Sequence, residues 1–155
     1  RFLNIKKAVD LLNQEKVNVV KISSYYETPS YPDNKLPKFI NIIIEVKFEE
    51  SPDELLNKIL KIEKKMGRIR NYSNEPRTCD IDIIDFNGLI IKTGCITLPH
   101  PKLHERNFVL YPLYEICPDW IHPSYNKKID ILIEKLSSKM TNEITKMKES
   151  DTLYK

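Results

Sequence analysis

Three cysteines, Cys79, Cys95 and Cys117, are all that this 155-residue sequence contains, an odd number without C-x-x-C spacing. That argues against both a disulfide framework and a zinc site, and it fits a reducing, cytoplasmic setting. No run of about 18 apolar residues is present to span a bilayer, and no signal-peptide pattern opens the chain. Internal repeats, low-complexity blocks and domain linkers are missing too. The net charge is only +3, too small to demand a nucleic-acid partner, although a locally basic surface around an anionic substrate is compatible with it. What remains, 41% apolar and 30% charged residues, is an ordinary globular balance. The length predicts one domain with a core of its own.

Phe2, Ile5, Ala8, Val9 and Leu12 recur at helical spacing and predict an amphipathic helix at once. Residues 17–26 read as a strand, 28–37 as a Pro-rich loop and 39–48 as a strongly apolar strand. In Ser51-Pro52-Asp53-Glu54 an N-cap, a proline at the first helical position and a glutamate three residues after the cap announce a second helix. Its buried side is predicted to carry Leu55, Leu56, Ile59, Leu60, Ile62 and Met66, and Gly67 is placed to end it. Residues 68–76 are polar and aperiodic, a loop. Asn87-Gly88 signals a tight turn, so 80–86 should return as a hairpin through 89–92. Residues 105–116 read as a helix interrupted at Pro112, and 127–150 as one or two charged terminal helices. Helix, strand, strand, helix, strand lacks only one leading strand of βαββαβ, the split unit of ferredoxin-like α+β sandwiches.

Chemistry concentrates in Arg77-Thr78-Cys79-Asp80-Ile81-Asp82-Ile83-Ile84. Side chains two apart on a strand share a face about 7 Å apart, so Asp80 and Asp82 stand together while Cys79, Ile81 and Ile83 turn away. Paired carboxylates suit magnesium, which binds through one or two of them plus substrate phosphates. Arg68, Arg70 and Arg77 are what a polyphosphate needs. On spacing alone, the alternation is equally the wet side of a half-buried strand.

The segment 76–84 resembles the signature of the 6-hydroxymethyl-7,8-dihydropterin pyrophosphokinase family. The similarity continues through Ser23-Ser24-Tyr25-Tyr26-Glu27-Thr28-Pro29, Phe39-Ile40-Asn41, Ile62-Glu63-Lys64-Lys65-Met66-Gly67-Arg68, Pro99-His100-Pro101, Arg106-Asn107-Phe108-Val109-Leu110 and Pro112-Leu113-Tyr114-Glu115-Ile116. In order and spacing it covers residues 1 to about 125, which makes 1–125 the expected catalytic domain and 126–155 a C-terminal helical extension of it.

The resemblance implies transfer of pyrophosphate from ATP to the hydroxymethyl group of a reduced pterin, with release of AMP. It implies two magnesium ions on Asp80 and Asp82, and Arg68 and Arg70 as catalytic-loop arginines over the triphosphate. Arg77, Ile83, Thr97, His100 and Arg106 become nucleotide contacts. Phe39 and Phe108 become the aromatic pair around the pterin, with Asn41 reading the ring edge and Thr28 and Pro29 helping. ATP and the pterin are the implied partners, and members of the family also occur fused to other folate-pathway enzymes. His104 and His122 receive no role and are expected at the surface. Phe39, Asn74, Glu75, Leu60, Cys95 and Pro101 depart from common family residues. Members begin with a strand ending in Gly-Ser-Asn, and no such segment precedes the first helix here, so the expectation is an N-terminally truncated chain lacking that strand. Two rivals share the architecture, a ferredoxin-like nucleic-acid-binding module and a non-catalytic small-molecule regulatory domain. The first lacks the aromatic pattern of RNA-recognition strands; the second has no need of paired strand aspartates.

Overall fold

The apolar stripe at the start of the chain becomes α1, Phe2–Gln14, which buries Phe2, Ala8 and Leu12. α2, Pro52–Lys65, begins as its capping signal predicts: the Ser51 hydroxyl accepts the Glu54 N–H at 3.2 Å, a contact worth roughly 0.5–2 kcal/mol. It ends at Met66, and Gly67 follows at φ +90°, a left-handed position that suits glycine. Leu55, Ile59, Ile62 and Met66 are buried on its inner side, whereas Leu56 and Leu60 are only half-buried. The computed structural model describes residues 1–30, 35–67 and 79–148.

Each of the two strands expected over 17–26 and 39–48 is broken in two. β1, Asn18–Ile22, pairs antiparallel with β4, Ile44–Lys47, and β2, Tyr26–Thr28, pairs antiparallel with β3, Phe39–Asn41. Both chains leave the ladder at the same level for one physical reason. The Ser23 N–H donates to the Ile43 carbonyl at 2.9 Å, and the Ser23 hydroxyl accepts the Ile43 N–H at 2.9 Å. A side-chain oxygen thus replaces a backbone partner and bends the hairpin. Glu115 fixes the bend from outside, accepting the Ser24 N–H and hydroxyl at 3.1 and 2.7 Å and the Tyr26 hydroxyl at 2.7 Å.

Neighbouring residues of this layer face opposite helical layers. Ile44 packs with α1 and α2 around Leu12, Val17, Ile59 and Ile62, while Ile43 packs against Leu103, Leu110 and Ile129. Ile83 and Ile84 divide in the same way, as the two-residue period of extended chain requires. The result is an α+β arrangement in which antiparallel strands carry helices on both sides.

The hairpin expected over 80–92 does not form. Asn87 and Gly88 do make the tight turn, at φ +52° and +71°, closed by the Leu89 N–H on the Phe86 carbonyl. Its arms are not laddered, because Asp85 turns outward to accept the Gly88 N–H and the Trp120 indole N–H at 3.1 Å each. The hairpin lies further on, β5 Ile91–Lys92 against β6 Thr97–Leu98. Among the described residues 79–86 join no strand ladder. α3, Asn107–Ile116, follows a short 3-10 turn at Leu103–Glu105 and accommodates Pro112 in its interior. The C-terminal region forms α4, Ile129–Glu134, α5, Ser138–Glu143, and an unexpected strand, β7, Thr145–Lys146, added to the edge of β2. Among the described residues no helix is long and apolar enough to cross a membrane.

His122 is not the surface residue expected from sequence: it is 3% exposed. Its Nδ1 accepts the N–H groups of Ser124 and Tyr125 at 3.1 and 3.3 Å, and its ring stacks on Tyr125 with centroids 4.3 Å apart. Burial, then the neighbouring His104, lowers its pKa from 6.5, with Asp85 pulling the other way. Above 6.5 both folded and unfolded states are neutral. As pH falls through that value the unfolded chain protonates first, so stability declines until the lower folded value is passed. His122→Asn keeps an acceptor near Nδ1 and removes the titration. Denaturant unfolding between pH 7 and 5 should therefore show a shallower acid loss of stability in the variant than in the parent; identical slopes would exclude His122 as a source.

Candidate active site

Asp80 and Asp82 are exposed, while Cys79, Ile81 and Ile83 pack on the α1–α2 core. The alternation inferred from sequence is therefore real, although no ladder supports it. Its support comes from elsewhere. The carboxylate of Glu63, 2% exposed near the end of α2, accepts the N–H of Ile81 at 3.0 Å. That peptide lies between the two aspartates, so a helix side chain fixes the backbone that presents both. Sequence reasoning assigned Glu63 to a motif but missed this task; the available signal was a carboxylate on the apolar stripe, four residues after Ile59 and three before Met66. Burial pushes the Cys79 thiol up to about 11, which leaves it protonated and unreactive.

Two further candidates converge on Asp82. Arg106, at the N-cap of α3, brings its Nη1 to 3.9 Å from the Asp82 carboxylate and its guanidinium to 5.4 Å from the centre of the Phe108 ring. His100 is held by its own N–H on the Ile84 carbonyl at 2.9 Å, and its Nδ1 accepts the Lys102 N–H at 3.1 Å. Nε2 is thereby left as the nitrogen for an outside partner. Desolvation, and after it the Arg106 charge, lowers the His100 pKa, with Asp82 opposing. An imidazole, a guanidinium and a carboxylate thus sense one another in one place.

The other group of candidates lies on the bent hairpin. Thr28 and Phe39 are register partners, and so are Tyr26 and Asn41. The Asn41 amide donates to the Thr28 hydroxyl at 3.1 Å and to the Tyr26 carbonyl at 3.3 Å, which fixes its orientation. Phe39 is 54% exposed, a large apolar surface left open, whereas Phe108 is half-buried against the α3–α4 core. Pro29 is half-buried beside buried Thr28; Thr97 sits in β6, and the Ile83 side chain packs into the core, so only its backbone is open to a ligand. Arg68, Arg70 and Arg77 lie outside the described residues.

The donor set fits magnesium. Asp80 and Asp82 offer hard carboxylate oxygens on one exposed face, the kind of partial ligand set magnesium completes with phosphates and water. Among the described residues no group of three or more His, Cys, Asp or Glu side chains forms a metal cage.

Comparison with known proteins decides the family. Residues 1–118 match the model for 7,8-dihydro-6-hydroxymethylpterin-pyrophosphokinase. The chain belongs to that family. It is 39% identical over 129 residues to the 2-amino-4-hydroxy-6-hydroxymethyldihydropteridine pyrophosphokinase of Aquifex aeolicus, covering 83% of this chain and 80% of that protein. Identity to the Bacillus subtilis protein of the same name is 43% over 114 residues, 73% of this chain and 68% of the relative. The folic acid synthesis protein FOL1 of Dictyostelium discoideum is 41% identical over 125 residues, 80% of this chain but only 19% of that longer protein.

If Glu63 positions the aspartates, removing its acceptor should cost both stability and ligand binding. Glu63→Leu leaves the Ile81 N–H unpaired, a loss of about 1–3 kcal/mol, and should weaken magnesium–ATP binding in the variant that remains folded. Glu63→Gln retains an acceptor and should restore most of both. Thermal unfolding with nucleotide titration checks this, and unchanged nucleotide affinity in a folded Glu63→Leu protein would contradict it.

Proposed function

We infer that this chain is an ATP-dependent pyrophosphokinase that transfers pyrophosphate from ATP to 6-hydroxymethyl-7,8-dihydropterin, giving AMP and the pterin diphosphate in folate biosynthesis. Family membership over residues 1–118 carries the reading; the convergence of Asp82, Arg106 and His100 supports it. A nucleic-acid-binding or purely regulatory role is not favoured by relatives named as pyrophosphokinases. Residues 1–125 form the proposed catalytic unit, on a ferredoxin-like plan, and 126–155 its extension. The small share of FOL1 that the chain spans supports the expectation that the unit also occurs within longer folate-synthesis proteins.

Little covalent chemistry falls to the protein in such a transfer; positioning and charge neutralisation dominate. Asp80 and Asp82 would hold two magnesium ions. Bound there, the metal supplies neutralisation of the polyphosphate and acidification of the substrate hydroxyl. Arg106 and His100 hold phosphate oxygens, Arg77 adds a fixed contact, and Arg68 and Arg70 close over the triphosphate. Ile83 and Thr97 contact the nucleotide. On the other side Phe39 and Phe108 enclose the pterin ring, an arrangement worth about 0.5–1.5 kcal/mol beyond burial for each good stacking pair. The oriented amide of Asn41, both donor and acceptor, reads the ring edge beside Thr28 and Pro29.

Purified protein given ATP, magnesium and the reduced pterin should form AMP rather than ADP. Asp80→Asn and Asp82→Asn should each lower turnover by about 100-fold or more, the scale on which a transition-state charge contact is lost. Near-parental AMP formation in both variants would exclude the metal assignment.

Phe108→Ala separates the two substrates. It should weaken pterin binding by about 2 kcal/mol or more, roughly 30-fold in Kd, while leaving ATP affinity near the parental value. Calorimetry giving an unchanged pterin Kd would remove Phe108 from the pocket.

A further inference from the structure

A cavity with both apolar and charged lining lies apart from the aspartate segment. It has a volume of about 510 Å³ and is lined by His104, Glu105, Tyr125, Lys127, Lys135 and Ser137 over an apolar floor that includes Leu132. That size lies within the range of small-molecule sites. Most of its wall comes from residues beyond 118, past the span that the family model matches.

The charges in the cavity are unbalanced. Lys127 and Lys135 both line the cavity, and the neighbouring Lys127 lowers the Lys135 pKa. Among the described residues neither lysine has a carboxylate partner. Glu105, 68% exposed, is engaged instead by the His104 Nε2 at 3.4 Å. The His104 ring is packed edge-on against Tyr125, with centroids 4.9 Å apart, and its Nδ1 is shielded from solvent without a hydrogen-bond partner among the described residues. The Ser137 hydroxyl accepts the Met140 N–H at 3.3 Å and still has its own proton to donate. Adjacent like charges repel, whereas an anion between them turns repulsion into two charge-assisted hydrogen bonds.

We propose that this cavity is a second anion site, distinct from the catalytic one, which takes a small phosphate-bearing ligand between Lys127 and Lys135, with Ser137 as donor and His104 at its wall. The proposal goes beyond the assigned reaction and does not depend on it.

The test is an NMR titration of the whole chain with inorganic phosphate at constant ionic strength, following the imidazole of His104 and the ring of Tyr125. Sodium chloride serves as control, and His100 reports the catalytic site. The expected result is a saturable response at His104 and Tyr125 with its own midpoint, shifted about tenfold toward weaker binding in Lys127→Gln and in Lys135→Gln. Neither substitution should alter the His100 response or AMP formation without added phosphate. No saturable response at His104, or one that both variants leave unchanged, would overturn the site. Lost AMP formation in the folded variants would place the lysines in the catalytic machinery and overturn its independence.

Discussion

The buried carboxylate of Glu63 holds the segment on which the rest of the candidate site stands. Withdrawing a carboxylate from water is costly unless its oxygens are satisfied, and its bond from the Ile81 N–H helps to meet that requirement. The bond also transmits order. α2 is a capped 14-residue helix packed through Leu55, Ile59 and Ile62, so the stretch carrying Asp80 and Asp82 takes its position from a rigid element although it belongs to no ladder. Apolar anchoring by Cys79, Ile81 and Ile83 fixes which face the aspartates occupy; the hydrogen bond from Ile81 fixes where along α2 they stand.

The hairpin proposed to meet the pterin rests on a different constraint. Ser23 substitutes its hydroxyl for a ladder partner opposite Ile43, and the bend that follows separates the β1–β4 ladder from the β2–β3 ladder that carries Thr28, Phe39 and Asn41. Burial opposes the ionisation of Glu115, but hydrogen bonds from Ser24 and Tyr26 and the nearby charge of Lys146 outweigh it and keep its pKa below the ordinary value. A charged acceptor therefore joins α3 to the bend. α3 also carries Arg106 and Phe108 at its start, so the hairpin and the helix that would face each other across a pterin are tied together at the far end of the helix.

Helices were legible because each carries its own evidence. α2 shows a cap, a proline, an apolar stripe and a terminating glycine within one local stretch. The face of Asp80 and Asp82 was legible for the same reason, being a matter of alternation. What failed was decided by partners distant in sequence. Nothing near residue 23 announces that a serine will break two strands at once, since the break depends on Ile43. The tight turn at Asn87-Gly88 was correctly located, yet pairing of its arms was lost to Asp85 and Trp120. His122 looked like a surface histidine because its burial depends on stacking with Tyr125 and on packing near His104 and Trp120. For the candidate site, resemblance supplied a roster of candidate residues; the hydrogen bonds that Glu63 and Glu115 make beside them depend on partners distant in sequence and were not legible.

Arg106 is where the two halves of the site meet. One face of its guanidinium lies over Phe108 and one nitrogen reaches toward Asp82. At 3.9 Å, with the Asp82 side chain 57% exposed, the ion pair is long and solvated, and such pairs contribute little to stability. That weakness matters for function. A tight, buried pair would hold the arginine and neutralise the carboxylate, whereas a loose one would let both groups exchange partners at little cost if, as proposed, a metal–phosphate complex binds there. The N-terminal end of α3 adds a partial positive charge at the same point, so negative charge is favoured there even as the ion pair opens. Arg106 and Phe108 start the same helix and touch across 5.4 Å, so the proposed phosphate and pterin contacts would lie side by side.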